Sequence, residues 1–213
     1  MKSISIRRWP LLFLVLLISA DLVFVGLEVV HSLGYASDNK FLLGTERGYS
    51  EVYQYVKFFW IALILAWLTF RTYQPLYGIG TFLFMYLLLD DSLEIHETMG
   101  GHIAAWTGMS PLFGLRTQDY GELTVYALTG IIFLGAGWLA YQKSSRRARQ
   151  ISWYVLGGLV GLAVFGAGVD MLHSFFSNSF PFLDTPFVIL EDGGELIAVS
   201  VIAWFIFSFA SQE

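Results

Sequence analysis

An apolar run from Tyr77 to Leu89 passes without a break into DDSLEIHETMGGH, and this junction constrains the chain most. The run is long enough to start a membrane helix, yet its continuation carries Asp90, Asp91, Glu94, His96 and Glu97, with His102 beyond two glycines. At about 100° per residue, Asp90, Glu94 and Glu97 share a helical stripe roughly 60° wide. A carboxylate at the centre of a bilayer costs about 2.5–3.5 kcal/mol on insertion scales, so such a stripe needs partners, protons or metal. The rest of the chain has to supply them.

Five further long apolar segments surround this one. With 56% hydrophobic and only 14% charged residues over 213 positions, the expectation is an all-α, polytopic membrane helix bundle forming one domain over residues 1–213. The absence of cysteine excludes disulfides, thiolate ligands, iron–sulfur clusters and cysteine nucleophiles. No basic patch argues for nucleic acid. A metal here would be held by carboxylate, imidazole, carbonyl or water.

The first segment follows Lys2, Arg7 and Arg8 and could be a signal peptide ending near Ser19-Ala20. Its apolar character continues to Val30, so an uncleaved membrane helix is expected. Further spans are expected at about Glu51 to Phe70, from Tyr77 through the acidic stretch, Glu122 to Tyr141, Ser152 to Phe175, and from Pro186 to Ala210. Loops are expected at 32–50, at 103–121 (with Pro111, Gly114 and Arg116) and from Ser177 to Pro186. In the fifth span Gly157 and Gly161 make a spacing that allows close helix approach.

Six spans place both termini on one side. Eight basic residues belong to that side (Lys2, Arg7, Arg8, Arg71, Lys143, Arg146, Arg147, Arg149) and four to the other (Lys40, Arg47, Lys57, Arg116). The positive-inside rule then predicts a cell (inner) membrane protein with cytoplasmic termini.

Alternating span direction assigns a depth to each polar side chain. Glu28 and His31 end the first span, Asp90 to Glu97 occupy the outer half of the third, and Asp170 and His173 end the fifth. Glu191, Asp192 and Glu195 begin the inward-running sixth. Lys57 and Glu122 obey the same rule. The acids and all four histidines therefore share the outer layer, and only Asp21 lies near mid-membrane.

Glu28-x-x-His31 and Asp170-x-x-His173 each put a carboxylate and an imidazole on one helix face, while Glu94/Glu97 and Glu191/Glu195 add carboxylate pairs. Two carboxylate-x-x-His segments plus a carboxylate from each of two other helices is the ligand pattern of di-iron and di-manganese bundles. The expected metal ligands are Glu28, His31, Glu94, Glu97, Asp170, His173, Glu191 and Glu195, binding one or two ions of iron, manganese or zinc. Asp21, Lys57, Asp90, Asp91 and His96 are expected in supporting or relay roles. Spans 1, 3, 5 and 6 would then form a four-helix core, with 2 and 4 outside it.

Three functions compete on these residues. The first is a membrane metalloprotein, a metal-dependent hydrolase or oxidase with a lipid or other membrane-accessible small-molecule substrate. The second is a cation or proton transporter using the intramembrane carboxylates, which requires access from both sides. The third, a structural subunit of a membrane complex, gives no reason for acids at one depth. No catalytic residue is singled out.

Overall fold

The computed structural model describes residues 8–35, 39–108, 116–176 and 180–213, and it is helical with no strand among them. Lys2, Arg7, Pro111, Gly114 and Ser177 lie outside the described residues. The helices are α1 (Arg8–Ser32), α2 (Tyr49–Thr72), α3 (Pro75–Leu93), α4 (Ile95–Thr107), α5 (Thr117–Lys143), α6 (Arg146–Ala163), α7 (Asp170–Phe176) and α8 (Asp184–Ala210). Among the described residues six stretches are long and apolar enough to cross a membrane: Trp9–Ser32, α2, α3, α5, the continuous Arg146–Phe176, and α8.

Local chemistry sets several of these limits. Tyr73 leaves the helical region at φ 53°, which ends α2, and Pro75 supplies the first turn of α3, where its missing N–H costs nothing. The Ser145 side chain accepts from the Ala148 N–H and caps α6. A π-helical turn, Val164–Val169, joins α6 to α7 and contains Gly166 and Gly168.

The centre of the bundle differs from the expected one. The long helices with most buried surface are α2 and α8, which pack against each other; α1 and α6 lie on α8, and α3 lies on α2. Span 2 is thus central, and spans 1, 3 and 5 surround a 2–6 pair. The reason is visible on α2, where Lys57, Phe58, Ile61, Ala62, Leu65 and Leu68 recur at helical spacing and are all buried. Leu196, Val199, Ile202, Ala203 and Ile206 of α8 form the matching face.

Close helix approach also falls on other glycines than expected. At Gly157 and Gly161 an added Cβ would meet nothing within 4 Å, whereas one at Gly158 would lie 2.5 Å from the Ile202 side chain of α8. The tightest crossing joins α4 to α5, where a Cβ at Gly121 would sit 2.6 and 2.8 Å from the backbone C and Cα of Gly100. Backbone cannot rotate away as a side chain can. Gly121→Ala should therefore destabilise the protein by about 1–3 kcal/mol, lowering its melting temperature, while Gly101→Ala, with open space around it, should not. Equal melting temperatures for the two variants in detergent would overturn this account of the α4–α5 crossing.

Candidate functional site

The acidic stretch does not continue as one helix. At Glu94 the backbone turns left-handed (φ 53°, ψ 42°), ending α3 and starting α4 in a new direction. A non-glycine residue in that conformation costs about 1–2 kcal/mol. The bend is held by the Thr98 N–H donating to the Glu94 carbonyl at 3.0 Å and by an Arg47–Glu94 ion pair at 2.8 Å. The expected Asp90/Glu94/Glu97 stripe is consequently broken. Asp90 turns into the protein, while Asp91, Glu94, His96 and Glu97 border a common cavity.

That cavity has a volume of about 380 Å³. Eleven carboxylates line it: Glu46 and Glu51 from the α1–α2 connection and α2, Asp91, Glu94 and Glu97 around the bend, Asp119 and Glu122 from α5, Asp170 from α7, and Glu191, Asp192 and Glu195 from α8. Among the described residues the cationic candidates in its lining are His96 and Arg116. Arg116 is committed to Asp119, donating from its backbone N–H (2.7 Å) and from Nε (2.9 Å) at the start of α5. The excess of negative charge is therefore large and local.

Glu195 lies at the floor, where Gln54 Nε2 donates to its carboxylate at 2.9 Å. Gly166 in the π turn stands against the other Glu195 oxygen so closely that a side chain there would require the Glu195 carboxylate to move. Turns of this kind recur at functional sites because they redirect side chains that a regular helix would misplace. Gly166, Ala167, Asp170 and Met171 all face the cavity.

One wall carries a connected polar chain. Thr129 donates to the Tyr86 hydroxyl (3.1 Å), Tyr86 donates to Asp90 Oδ1 (3.3 Å), and Asp90 Oδ2 meets His96 Nδ1 at 3.1 Å. The His96 ring also packs against Tyr126 at a tilt of 31°, ring centroids 5.0 Å apart. Burial alone would favour neutral His96, but the Asp90 hydrogen bond and the charges of Asp90, Asp91 and Glu97 outweigh it and hold the imidazole above its ordinary pKa. Glu97 is also raised, by partial burial and by Glu46, Glu122 and Glu94 nearby. Among the described residues, Asp90, Asp91 and His96 form a group whose ligand atoms all lie within 4.8 Å of one another.

Of the eight expected ligands, five line the cavity: Glu94, Glu97, Asp170, Glu191 and Glu195. The other three are placed elsewhere. Glu28 accepts a 3.0 Å hydrogen bond from the Leu43 N–H and anchors the loop, and His31 is outside the lining. His173 stands behind Glu191, meeting it at 3.1 Å through Nδ1 and Asp184 at 2.9 Å through Nε2, with Phe187 stacked on its ring.

Of the five supporting candidates, Asp91 and His96 line the cavity and Asp90 backs them. Asp21 and Lys57 form a fully buried ion pair below it, at 3.0 Å. The cavity also takes in Glu46, Glu51, Gln54, Asp119 and Asp192, which fall outside the ligand pattern read from spacing. Glu51 and Asp119 stand in first helical turns, where acids are common for capping reasons, so sequence alone offers no way to tell them apart from ordinary caps.

The fold and site define an all-helical protein with six potential membrane spans and an acid-lined cavity at one end. The chain belongs to the family described as Domain of unknown function (DUF8692), which matches residues 11–211. No curated protein and no solved structure is detectably similar to it.

Proposed function

We propose that this protein is a multi-pass membrane metalloprotein whose cavity holds one or two divalent ions, iron, manganese or zinc, on the non-cytoplasmic side. The observation that carries this reading is the imbalance within one cavity: of eleven carboxylates, Glu94 is paired with Arg47 and Asp119 with Arg116, and the other nine face His96. Several carboxylates this close do not remain ionised together at low dielectric without cations. Asp90, Asp91 and His96 would hold one ion, and Glu97, Glu191 and Glu195 offer oxygen ligands for a second. Hard oxygen with imidazole suits these metals. An open coordination position would activate water or dioxygen, as in a metal-dependent hydrolase or oxidase.

Cation transport draws less support. Beneath Glu195 the ammonium of Lys57 is closed off by Asp21 and Ser200, and the other buried side chains around and below it, Phe58, Ile61, Leu65, Phe84, Val199 and Ile202, are apolar. A transported cation would need a polar route there.

Elemental analysis of the protein purified in detergent tests the reading directly. Stoichiometric metal is expected in the wild type and its loss in Asp91→Asn/His96→Ala; a metal-free wild type that also fails to take up Fe²⁺, Mn²⁺ or Zn²⁺ would refute it. The orientation has its own test. A cysteine introduced at position 40 should react with an impermeant maleimide added outside intact cells, and one at position 145 should react only after lysis. Labelling of position 145 from outside would reverse the topology.

A further inference from the structure

The helices α5 and α6 are joined by Ser144 and Ser145 alone, and Arg149 of α6 clamps that turn by donating to the carbonyls of Tyr141 (2.8 Å) and Gln142 (3.0 Å). From there they diverge. Both pack against α3, but they do not pack along each other, and α5 does not pack along α7 or α8 either. The two helices form a V with its closed end at the basic turn and its open end at the acidic cavity.

The cavity runs into this V. Asp119, Glu122 and Tyr126 line the cavity on α5, and the same helical stripe continues through Gly130 and Gly137, where an added Cβ would meet none of the described residues outside its own helix within 4 Å. Opposite, the stripe of Ala167 continues down α6 through Ala163 and Val160, both exposed. Tyr126 lines the cavity and is nevertheless 40% exposed, so this side of the cavity reaches the lateral surface of the bundle. A cleft with small apolar walls on a hydrophobic face, leading to a strongly acidic chamber, is complementary to a molecule with a hydrocarbon tail and a positive head.

We propose that the V between α5 and α6 is a lateral entrance through which the cavity takes an amphiphile with a cationic amine head from the surrounding membrane. The head lodges at the mouth beside Glu122 and Asp170, and the tail lies along Gly130 and Gly137. This names a substrate class for the site and rests on the membrane reading above; it does not require the metal, whose ligands lie deeper, around His96 and Glu195. An anionic head would meet the same carboxylates unfavourably, because Arg116 is already paired with Asp119.

Photolabelling of the full chain in nanodiscs tests it. The probe is a long-chain primary alkylamine with a mid-chain diazirine, and the alcohol of the same chain is the control. The amine is expected to label α5 and α6 around residues 130–137 and 160–163 several-fold more than the alcohol. Gly130→Trp, which fills open space and leaves the fold intact, should abolish that excess, and so should Glu122→Gln/Asp170→Asn. Equal labelling by amine and alcohol, an excess unaffected by Gly130→Trp, or crosslinks showing a second copy of the chain in the cleft would each overturn the proposal. The experiment is run with and without chelator. Selective labelling of metal-free protein supports this entrance even if the metal reading fails, and a metal-loaded protein without selective labelling overturns the entrance alone.

Discussion

Asp21→Asn should destabilise the protein by about 3–5 kcal/mol, because it leaves the Lys57 ammonium buried without its counter-charge. Both side chains of this pair are 0% exposed. All three ammonium protons are directed, to Asp21 Oδ1 at 3.0 Å, the Leu196 carbonyl at 2.7 Å and Ser200 Oγ at 3.2 Å. The Tyr53 ring lies 4.5 Å from Lys57 Nζ on another side, but an aromatic face replaces only a small part of a lost carboxylate. The arrangement ties α1, α2 and α8 together directly below Gln54 and Glu195. At about 2–4 °C per kcal/mol for a chain of this length, the single variant should melt roughly 6–20 °C lower.

Removing both charges is a different matter. Asp21→Leu/Lys57→Met removes the desolvation cost along with the attraction, and buried ion pairs replaced by apolar side chains are often neutral or stabilising. The double variant should therefore recover most of the loss. Among the described residues Asp21 Oδ2 has no hydrogen-bond partner, which makes the carboxylate costlier to bury and the recovery larger. A double variant as unstable as the single one would show that the pair contributes through packing and not through charge. Thermal unfolding in one detergent, with all three proteins compared, measures this.

These two residues also show what the sequence could and could not reveal. Lys57 and Asp21 are polar positions in apolar runs, and a lysine there has either to reach an interface or to find a buried acid; the second holds. The layering of the acids was legible for a similar reason. Spans alternate in direction, so residues at opposite ends of successive spans meet in space, and Glu94, Asp170, Glu191 and Glu195 do meet.

The facing of those acids was not legible. The turn at Glu94 contains neither glycine nor proline, and the contacts beside it, the Arg47 ion pair and the α4–α5 crossing, come from residues distant in sequence. It turns Asp90 into the protein, sets Asp91 in the lining and brings His96 to the cavity. The central place of α2 was hidden too, because its apolar stripe reads the same whether it faces lipid or protein. Carboxylate-x-x-His spacing overstated the histidines: His31 and His173 stand at helix ends, and only the direction of each terminal turn decides whether they reach the cavity.

Metal should raise the melting temperature strongly near neutral pH and hardly at all in mild acid. In metal-free protein His96 and Glu97 both have raised pKa values, so the folded state binds protons more tightly than the unfolded chain. For His96 that stabilisation is fully present below its ordinary pKa of 6.5 and is lost as pH climbs through the higher folded value. For Glu97 it is present below 4.5 and fades in the same direction. The metal-free protein should thus lose stability as pH rises from about 5 towards 8, as the cavity charges without compensation. Metal reverses the trend, because its ligands must be deprotonated before they bind. At a free metal concentration 100 times Kd the gain is about 2.7 kcal/mol, or roughly 5–11 °C here. Asp91→Asn/His96→Ala should remove most of that gain while leaving the Asp21–Lys57 pair untouched. Thermal scans at pH 5.5 and 7.5, with and without Mn²⁺ or Zn²⁺, separate the outcomes. A gain that is equal at both pH values, or equal in the variant, would mean that the ion binds elsewhere on the protein and that the acids of the cavity hold protons instead.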